Sequence, residues 1–180
     1  MKMSEVVKAR YTCRSYLEEP VSRDLIFDLA RAALDAPSAD NRQSFRFFLL
    51  EKSSSGGYSK IQRIITQDWA LDAPWVVFLF AVPDEGYVRH HDAKSFAWVD
   101  ATIAFDHFIL LLTAEGLGSA WTSTADGESL VRALKLPTSW EFIAFTPVGY
   151  PADERPKNKL RRRFEEMVLT EPPSITNLLR

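Results

Sequence analysis

One unbroken apolar run limits the folds open to this chain more than any other feature. Residues 75–82 read Trp-Val-Val-Phe-Leu-Phe-Ala-Val and lie between Pro74 and Pro83. The run has the length of a β-strand, is rich in β-branched and aromatic residues, and contains no polar position that would face solvent. We therefore predict a buried strand in the interior of the fold.

Periodic segments on either side of this run predict the other elements. Residues 22–36 and 95–115 show apolar positions at helical spacing, and the second segment is apolar nearly all round, as is typical of a helix buried in a core or between subunits. Shorter patterns predict helices at residues 58–68 and 130–136 and strands at residues 45–51 and 142–148. Because helices and strands are interspersed without regular β-α-β spacing, the sequence predicts an α+β fold.

Length and composition indicate a single domain spanning residues 1–180. The formal net charge is −2 and the sequence pI about 5.9, so apart from a short basic run at residues 157–163 nothing favours nucleic acid as a partner. Cys13 is the single cysteine, which excludes an internal disulfide and favours a reducing compartment. We find no signal segment and no apolar run of membrane-spanning length, so we expect a cytoplasmic protein without a membrane partner.

Three common kinds of site find no support in the sequence. Gly116-Leu117-Gly118 lacks the third glycine and the preceding strand of a dinucleotide-binding fingerprint. His90-His91-Asp92 lacks the spacing of metal ligands, so we expect a solvated loop and no metal site. The chain also lacks the Gly-x-Ser-x-Gly motif of serine hydrolases.

The N-terminal segment carries groups suited to an anion. Arg10 and Arg14 lie four residues apart with Thr12 between them, and guanidinium groups bind phosphate oxygens through paired hydrogen bonds. The pattern therefore favours a phosphate clamp. Surface ion pairs are the simpler alternative, with carboxylates available at Glu5, Glu18 and Glu19.

Six motifs in order make the chain resemble the nitroreductase family of FMN enzymes. Residues 10–21 resemble the family's arginine-rich opening followed by Pro-Val, and residues 36–43 resemble its Ala-Pro-Ser-x-x-Asn-x-Gln loop. The further matches are Ala73-Pro74 before a strand, Asp100 opening the long helix, Gly-Leu-Gly-Ser-x-Trp at residues 116–121, and Gly-Tyr-Pro at residues 149–151. The resemblance extends in register from about residue 8 to residue 170.

This resemblance implies a central mixed or antiparallel sheet flanked by helices, in a domain completed by dimerisation. The implied partner is a second copy of the chain, with FMN at the subunit interface and a tail of about residues 152–180 extending onto the partner. Side chains of the chain itself need not be catalytic, because the flavin carries the redox chemistry.

The resemblance also assigns FMN-binding roles to particular residues. Those at the phosphate and ribityl end would be Arg10, Tyr11, Thr12, Arg14, Lys159 and Arg161. Those against the flavin from the other subunit would be Pro37, Ser38, Ala39 and Asn41, with Gln43 fixing the shape of the loop. Those along the ring edge would be Trp121, Thr122 and Ser123. The residues alone also permit local turn formers in the loop, a core tryptophan at position 121 and a solvated charge run at residues 161–163.

The implied reaction transfers electrons from NAD(P)H through FMN to a nitroaromatic, quinone or similar small acceptor by a ping-pong mechanism. The chain departs from the family pattern at Thr66-Gln67-Asp68-Trp69, where a lysine is usual, at Ser44-Phe45 in place of Pro-Trp, and at Asp106-His107 in place of Gln-Asn. These departures leave two alternatives open. One is a flavin enzyme with another reaction, either dehalogenation or oxidation of a ring or enamide. The other is a non-catalytic relative, binding flavin weakly or not at all, that acts through a partner.

Overall fold

The computed structural model describes residues 1–54 and 56–171. The helices of this part of the chain are α1 (Met3–Ala9), α2 (Arg23–Ala33), α3 (Tyr58–Ile61), α4 (Asp68–Leu71), α5 (Ala97–Ala114), α6 (Gly127–Leu134) and α7 (Phe164–Met167). The strands are β1 (Phe45–Glu51), β2 (Trp75–Ala81), β3 (Gly118–Ser119) and β4 (Glu141–Gly149). The predicted α+β class is confirmed.

The four strands form one antiparallel sheet in the order β1-β2-β4-β3. β2 lies between β1 and β4, and each of its residues is buried. The register against β4 shifts between Leu79 and Phe80, which marks a bulge. The predicted buried strand is confirmed and ends one residue earlier than expected.

The two faces of β2 pack against different helices. The odd-numbered residues from Trp75 to Ala81 belong to a core cluster with α2 and α5. The even-numbered residues from Val76 to Phe80 belong to a second cluster with α3 and α6. Each large side chain buried in this way contributes about 1.5–3 kcal/mol relative to exposure. The unbroken apolar run therefore reflects helices on both sides of the sheet.

The long helix α5 lies in the core but also presents an exposed face. Ala101, Phe105 and Phe108 are fully buried, whereas Trp98 and Val99 are each 47% exposed. By length and composition α5 is apolar enough to cross a membrane, yet half of it is buried within this fold, as for the core helix of a globular domain. The prediction of an apolar helix is confirmed, with an exposed face that extends from Trp98 to Asp106 and His107 in the middle of the helix.

The single helix predicted at residues 58–68 was wrong, because two one-turn helices occupy this region and its C-terminal flank. After α3, the amides of Ile64 and Ile65 both donate to the carbonyl of Ile61 at 2.9 Å, which closes a turn instead of extending the helix. Ile61 and Ile65 are both buried in the second core cluster. Packing against the sheet, rather than helical periodicity, therefore sets the path of the chain here.

The segments at both ends of the chain lie beside β3 and β4. The amide of Cys13 donates to the carbonyl of Ser119 at 2.9 Å, and the amide of Leu17 donates to the carbonyl of Tyr150 at 2.9 Å. Residues 152–171 follow along the surface and include α7, none of whose residues is buried. Residues 172–180 of the predicted tail lie outside the described residues.

We expect Gly118→Ala to destabilise the protein by about 1–3 kcal/mol, because the added methyl group has no room. A Cβ atom at this position would lie 2.6 Å from Cys13 Sγ and 3.0 Å from Cys13 Cβ. Urea denaturation measures the change in the free energy of unfolding. In a Cys13→Ala background, which removes the sulfur, the same substitution should destabilise less. An equal loss in both backgrounds would contradict this account of the contact.

Candidate functional site

Residues 10–14, which we call the clamp segment, run in an extended conformation beside β3. Tyr11 and Cys13 are buried, whereas Arg10 and Thr12 are half-buried and Arg14 is exposed. Side chains of extended backbone alternate between two sides, so one set points into the protein and the other outward. Thr12 forms an isolated parallel bridge with Ser119, which fixes the segment at the edge of the sheet. The segment therefore presents the two predicted phosphate-binding arginines on its outer side.

Lys159 joins the clamp segment from the far end of the chain. Its ammonium donates to the carbonyl of Lys8 at 2.7 Å and to the carbonyl of Arg10. Burial lowers the pKa of the Lys159 ammonium, and the positive charges of Arg10, Arg161 and Arg155 lower it further. Several cations therefore lie close enough to repel one another. Arg155 was not among the predicted site residues, since only proximity in the fold places it here.

The arginines of the clamp segment are not neutralised by acidic side chains of the described chain. Within residues 1–54 and 56–171, neither Arg10 nor Arg14 forms an ion pair. Arg14 instead lies over the ring of Trp69, 5.9 Å from its centroid. The surface ion pairs with nearby glutamates, which were the simpler alternative, are therefore not formed within the described residues. By contrast, Arg163 pairs with Glu166 at 2.7 Å, which fits a solvated surface charge.

The loop of residues 37–43, which we call the amide loop, has a strained backbone. Asp40, Asn41 and Gln43 have φ angles of 55°, 53° and 50°, in the left-handed region that side chains other than glycine rarely occupy. Gln43 Nε2 donates to both the carbonyl and the Oδ1 of Asn41 at 3.1 Å, and the amide of Gln43 donates to Ser38 Oγ at 3.1 Å. Such strain persists only where the surrounding structure imposes it, and it is concentrated at functional sites.

Asp100 anchors the amide loop from the first turn of α5. It is 1% exposed, and its Oδ1 accepts a hydrogen bond from the amide of Ala39 at 3.0 Å, while its Oδ2 accepts one from Ser44 Oγ at 3.4 Å. Asp100 matches a family motif in the sequence, but that motif predicted no role for it. A carboxylate in the first turn of a largely apolar helix was the available signal, but its partners lie about sixty residues earlier in the chain.

Residues 121–123 follow β3, and Ser123, the last of them, borders a cleft. Trp121 is 37% exposed and its ring meets that of Phe105 edge to face at 4.9 Å, so it is not an ordinary core residue. Thr122 exchanges two backbone hydrogen bonds with Phe145 of β4. Ser123 borders a cleft of about 860 Å³. The walls of this cleft carry the aromatic side chains of Trp98, Trp140 and Phe142 and the carboxylates of Asp126, Glu128 and Glu141.

The clamp segment and the amide loop lie at opposite ends of the sheet. The clamp segment bonds to Ser119, which pairs with Val148 and, through it, with the Trp75 end of β2. The amide loop leads into β1, whose first residue pairs with Ala81 at the other end of β2. The length of β2 separates these ends by about 20 Å. Residues 119–123 begin at the clamp end and continue towards the middle of β4, so the structure brings them together with the clamp segment.

A sequence model of the Nitroreductase family matches residues 7–65 and 59–150 of the chain. Among characterised proteins, an iodotyrosine deiodinase of Thermotoga neapolitana is 26% identical over 185 residues, covering 87% of this chain and 93% of the relative. An NADH dehydrogenase of Thermus thermophilus is 25% identical over 174 residues, covering 81% of this chain and 84% of the relative.

Solved structures share the fold over nearly the whole length. A nitroreductase family protein of Clostridium difficile superposes with a TM-score of 0.87 at 26% identity, covering 96% of this chain and 100% of that one. A Desulfovibrio desulfuricans protein, assigned as a nitroreductase and crystallised in complex with FMN, superposes with a TM-score of 0.81 at 22% identity. The superposition covers 97% of this chain and 99% of the Desulfovibrio desulfuricans protein.

We expect Asp100→Ala to destabilise the protein and to loosen the amide loop. The substitution leaves the amide of Ala39 and the hydroxyl of Ser44 without their acceptor, which costs about 1–3 kcal/mol for each group that stays buried. Urea denaturation measures the stability, and hydrogen exchange at the amide of Ala39 measures the loop. Asp106→Ala is the matched control, since Asp106 is exposed on the same helix and should change stability by less than about 0.5 kcal/mol. Unchanged exchange at Ala39 in the Asp100 variant would contradict the anchoring role.

Proposed function

The chain belongs to the nitroreductase family, and we propose that it is an FMN-dependent oxidoreductase that acts as a homodimer. The reaction we propose carries electrons from NAD(P)H through bound FMN to a small acceptor such as a nitroaromatic or a quinone, with ping-pong kinetics. The name of the Thermus thermophilus relative supports NADH as a donor, and the FMN complex of a protein with the same fold supports the cofactor.

The cation cluster at the clamp segment is the observation that carries this proposal. Burial contributes most to the lowered pKa of the Lys159 ammonium, and Arg10, Arg161 and Arg155 lie close enough to lower it further, although the chain as a whole has a net charge of −2. Mutual repulsion disfavours such a cluster unless an anion compensates it. A phosphate monoester with two negative charges fits this arrangement, and guanidinium groups match its oxygens. The residues present therefore fit the phosphate end of FMN.

The neighbouring segments suit the rest of the cofactor. Residues 121–123 start beside the clamp segment and run towards the middle of β4, so they could flank a flat ring attached to a phosphate held at the clamp. When bound, FMN would supply the hydride- and electron-transfer chemistry. The chain's own groups would bind its phosphate and orient its ring.

Dimerisation would complete the site. The amide loop lies about 20 Å from the clamp segment of its own chain, which supports its assignment to the site of the partner subunit. The surface arm of residues 160–169 supports the same conclusion, because Leu160 is 97% exposed and Phe164 is 69% exposed. Large apolar side chains grouped at the surface are typical of protein interfaces. We also propose a cytoplasmic location, where the buried thiol of Cys13 would stay reduced.

Reductive dehalogenation is the second candidate reaction. The Thermotoga neapolitana relative is an iodotyrosine deiodinase, and the segment Thr66-Gln67-Asp68-Trp69, where the family usually has a lysine, offers the amide of Gln67 but no cation. A neutral amide stabilises developing negative charge on a bound flavin less than an ammonium does. Comparing how fast an iodophenol and a nitroaromatic reoxidise the reduced enzyme decides between the two reactions.

We expect the protein purified without added flavin to show flavin absorbance close to one FMN per chain, or to reach that ratio on titration. Addition of NADH or NADPH under anaerobic conditions should bleach the flavin bands, which establishes the reductive half of the reaction. A colourless protein that does not bind added FMN would overturn the proposed function. A flavin that binds but is not bleached by either nucleotide would overturn the proposed donor alone.

We expect Arg14→Ala to raise the Kd for FMN at least about tenfold. Loss of one charge-assisted hydrogen bond costs about 1.5–3 kcal/mol, and about 1.4 kcal/mol corresponds to a factor of ten in affinity. Fluorescence titration measures the Kd, and size-exclusion chromatography should show an unchanged oligomeric state. Arg63→Ala, on an exposed turn after α3, is the control and should bind FMN like the wild-type protein. Equal affinity in the two variants would remove Arg14 from the site.

A further inference from the structure

Asp153, in the segment that follows β4, binds three groups of the clamp segment with one carboxylate. Its Oδ1 accepts hydrogen bonds from Tyr11 Oη at 2.8 Å and from Cys13 Sγ at 3.1 Å. Its Oδ2 accepts a hydrogen bond from the backbone amide of Arg14 at 2.9 Å. We infer that Asp153 is the positioning residue that holds the clamp segment in its phosphate-binding conformation. This inference rests on the proposed function.

The groups that satisfy Asp153 are neutral. A phenol, a thiol and a backbone amide donate to it, and within residues 1–54 and 56–171 it forms no ion pair. Burial raises the pKa of the Asp153 carboxyl, but the hydrogen bonds from the Arg14 amide, Tyr11 and Cys13 outweigh it and leave the pKa below its usual range. Asp153 is therefore ionised at neutral pH, and its hydrogen bonds are formed without an arginine side chain of the clamp segment.

The alternation along the clamp segment shows what this carboxylate fixes. Tyr11 and Cys13, whose side chains Asp153 binds, are the buried set. Arg10, Thr12 and Arg14 form the other set. Both sets are attached to the same extended backbone, so a rotation that moves the buried side chains also moves the outer ones. Fixing the buried side chains and the amide of Arg14 therefore also fixes the directions of the outer side chains. Preorganised donors bind a ligand without a further loss of conformational freedom.

Docking of the two segments does not itself require Asp153. The amide of Leu17 donates to the carbonyl of Tyr150, and the amide of Ala152 donates to the carbonyl of Ser15 at 2.8 Å. These backbone bonds join the segments further along the chain. Asp153 instead acts on residues 11–14, where the predicted phosphate donors lie. Its removal should therefore affect phosphate binding more than flavin-ring binding or the fold.

The direction of the change in FMN affinity distinguishes a positioning role of Asp153 from a purely electrostatic one. Removing a negative charge near a phosphate site strengthens anion binding if charge alone matters. Asp153→Asn removes the charge and leaves one acceptor oxygen for three donors. If Asp153 positions the clamp segment, FMN binding becomes weaker in spite of the favourable change in charge. Glu154→Gln is the matched control, because Glu154 is the exposed neighbour and its substitution makes the same change in charge.

The experiment titrates wild-type protein and both variants with FMN and with riboflavin, which lacks the phosphate. We expect Asp153→Asn to raise the Kd for FMN about tenfold and the Kd for riboflavin less than about twofold, and Glu154→Gln to leave FMN binding equal or tighter. An FMN affinity that is unchanged or tighter in Asp153→Asn would overturn the inference. An equal loss for FMN and riboflavin would also overturn it, since that result indicates general damage to the site.

Two further outcomes are distinguishable. If wild-type protein binds no FMN, the proposed function fails first and the role of Asp153 fails with it. If Asp153→Asn does not fold, Tyr11→Phe provides the test, since it keeps the buried ring and removes the 2.8 Å bond to Asp153. We then expect a Kd for FMN about threefold higher with riboflavin binding unchanged, and an unchanged Kd for FMN would overturn the inference.

Discussion

Burial of β2 on both faces is the constraint on which the rest of the structure depends. Each residue from Trp75 to Ala81 is enclosed, with α2 and α5 on one side and α3 and α6 on the other. β2 also pairs with β1 and β4, so it fixes the register of both. The edge strand β3 is only two residues long, and the clamp segment continues the edge through its bond to Ser119. The central strand β2 therefore sets the position of the candidate site through two strand pairings, β2 with β4 and β4 with β3.

Two carboxylates connect this rigid frame to the polar segments of the site. Asp100 accepts the amide of Ala39 in the amide loop, and Asp153 accepts the amide of Arg14 in the clamp segment. Both are bound by neutral donors, and within residues 1–54 and 56–171 neither forms an ion pair. Each carboxylate therefore fixes a polar segment without forming an ion pair with a cationic side chain of the described residues. The positive charge at the clamp segment stays available for an anionic ligand, which is what the proposed FMN site requires.

The parts of this structure that the sequence predicts are those with a local signal. β1 has the predicted bounds, because aromatic residues and the following polar loop mark a strand of seven residues. The motif order predicts both polar segments of the site. The role of Asp153 was not predictable, because its partners in the clamp segment lie about 140 residues away and leave no periodic pattern. Short elements such as β3 and α7 contain too few residues to show a period.

The strain of the amide loop and its distance from the clamp segment support the same interpretation of the site. Three left-handed residues other than glycine cost of order 1–3 kcal/mol each. Asp100 holds the loop in place from the folded frame, and Gln43 bonds to Asn41 within the loop. A loop held under strain about 20 Å from the clamp segment has no evident use within its own chain. In a dimer with twofold symmetry, contact of one amide loop with the partner's clamp segment implies the reciprocal contact. Two identical composite sites would then form from one interface, each with a phosphate clamp from one chain and a preorganised loop from the other.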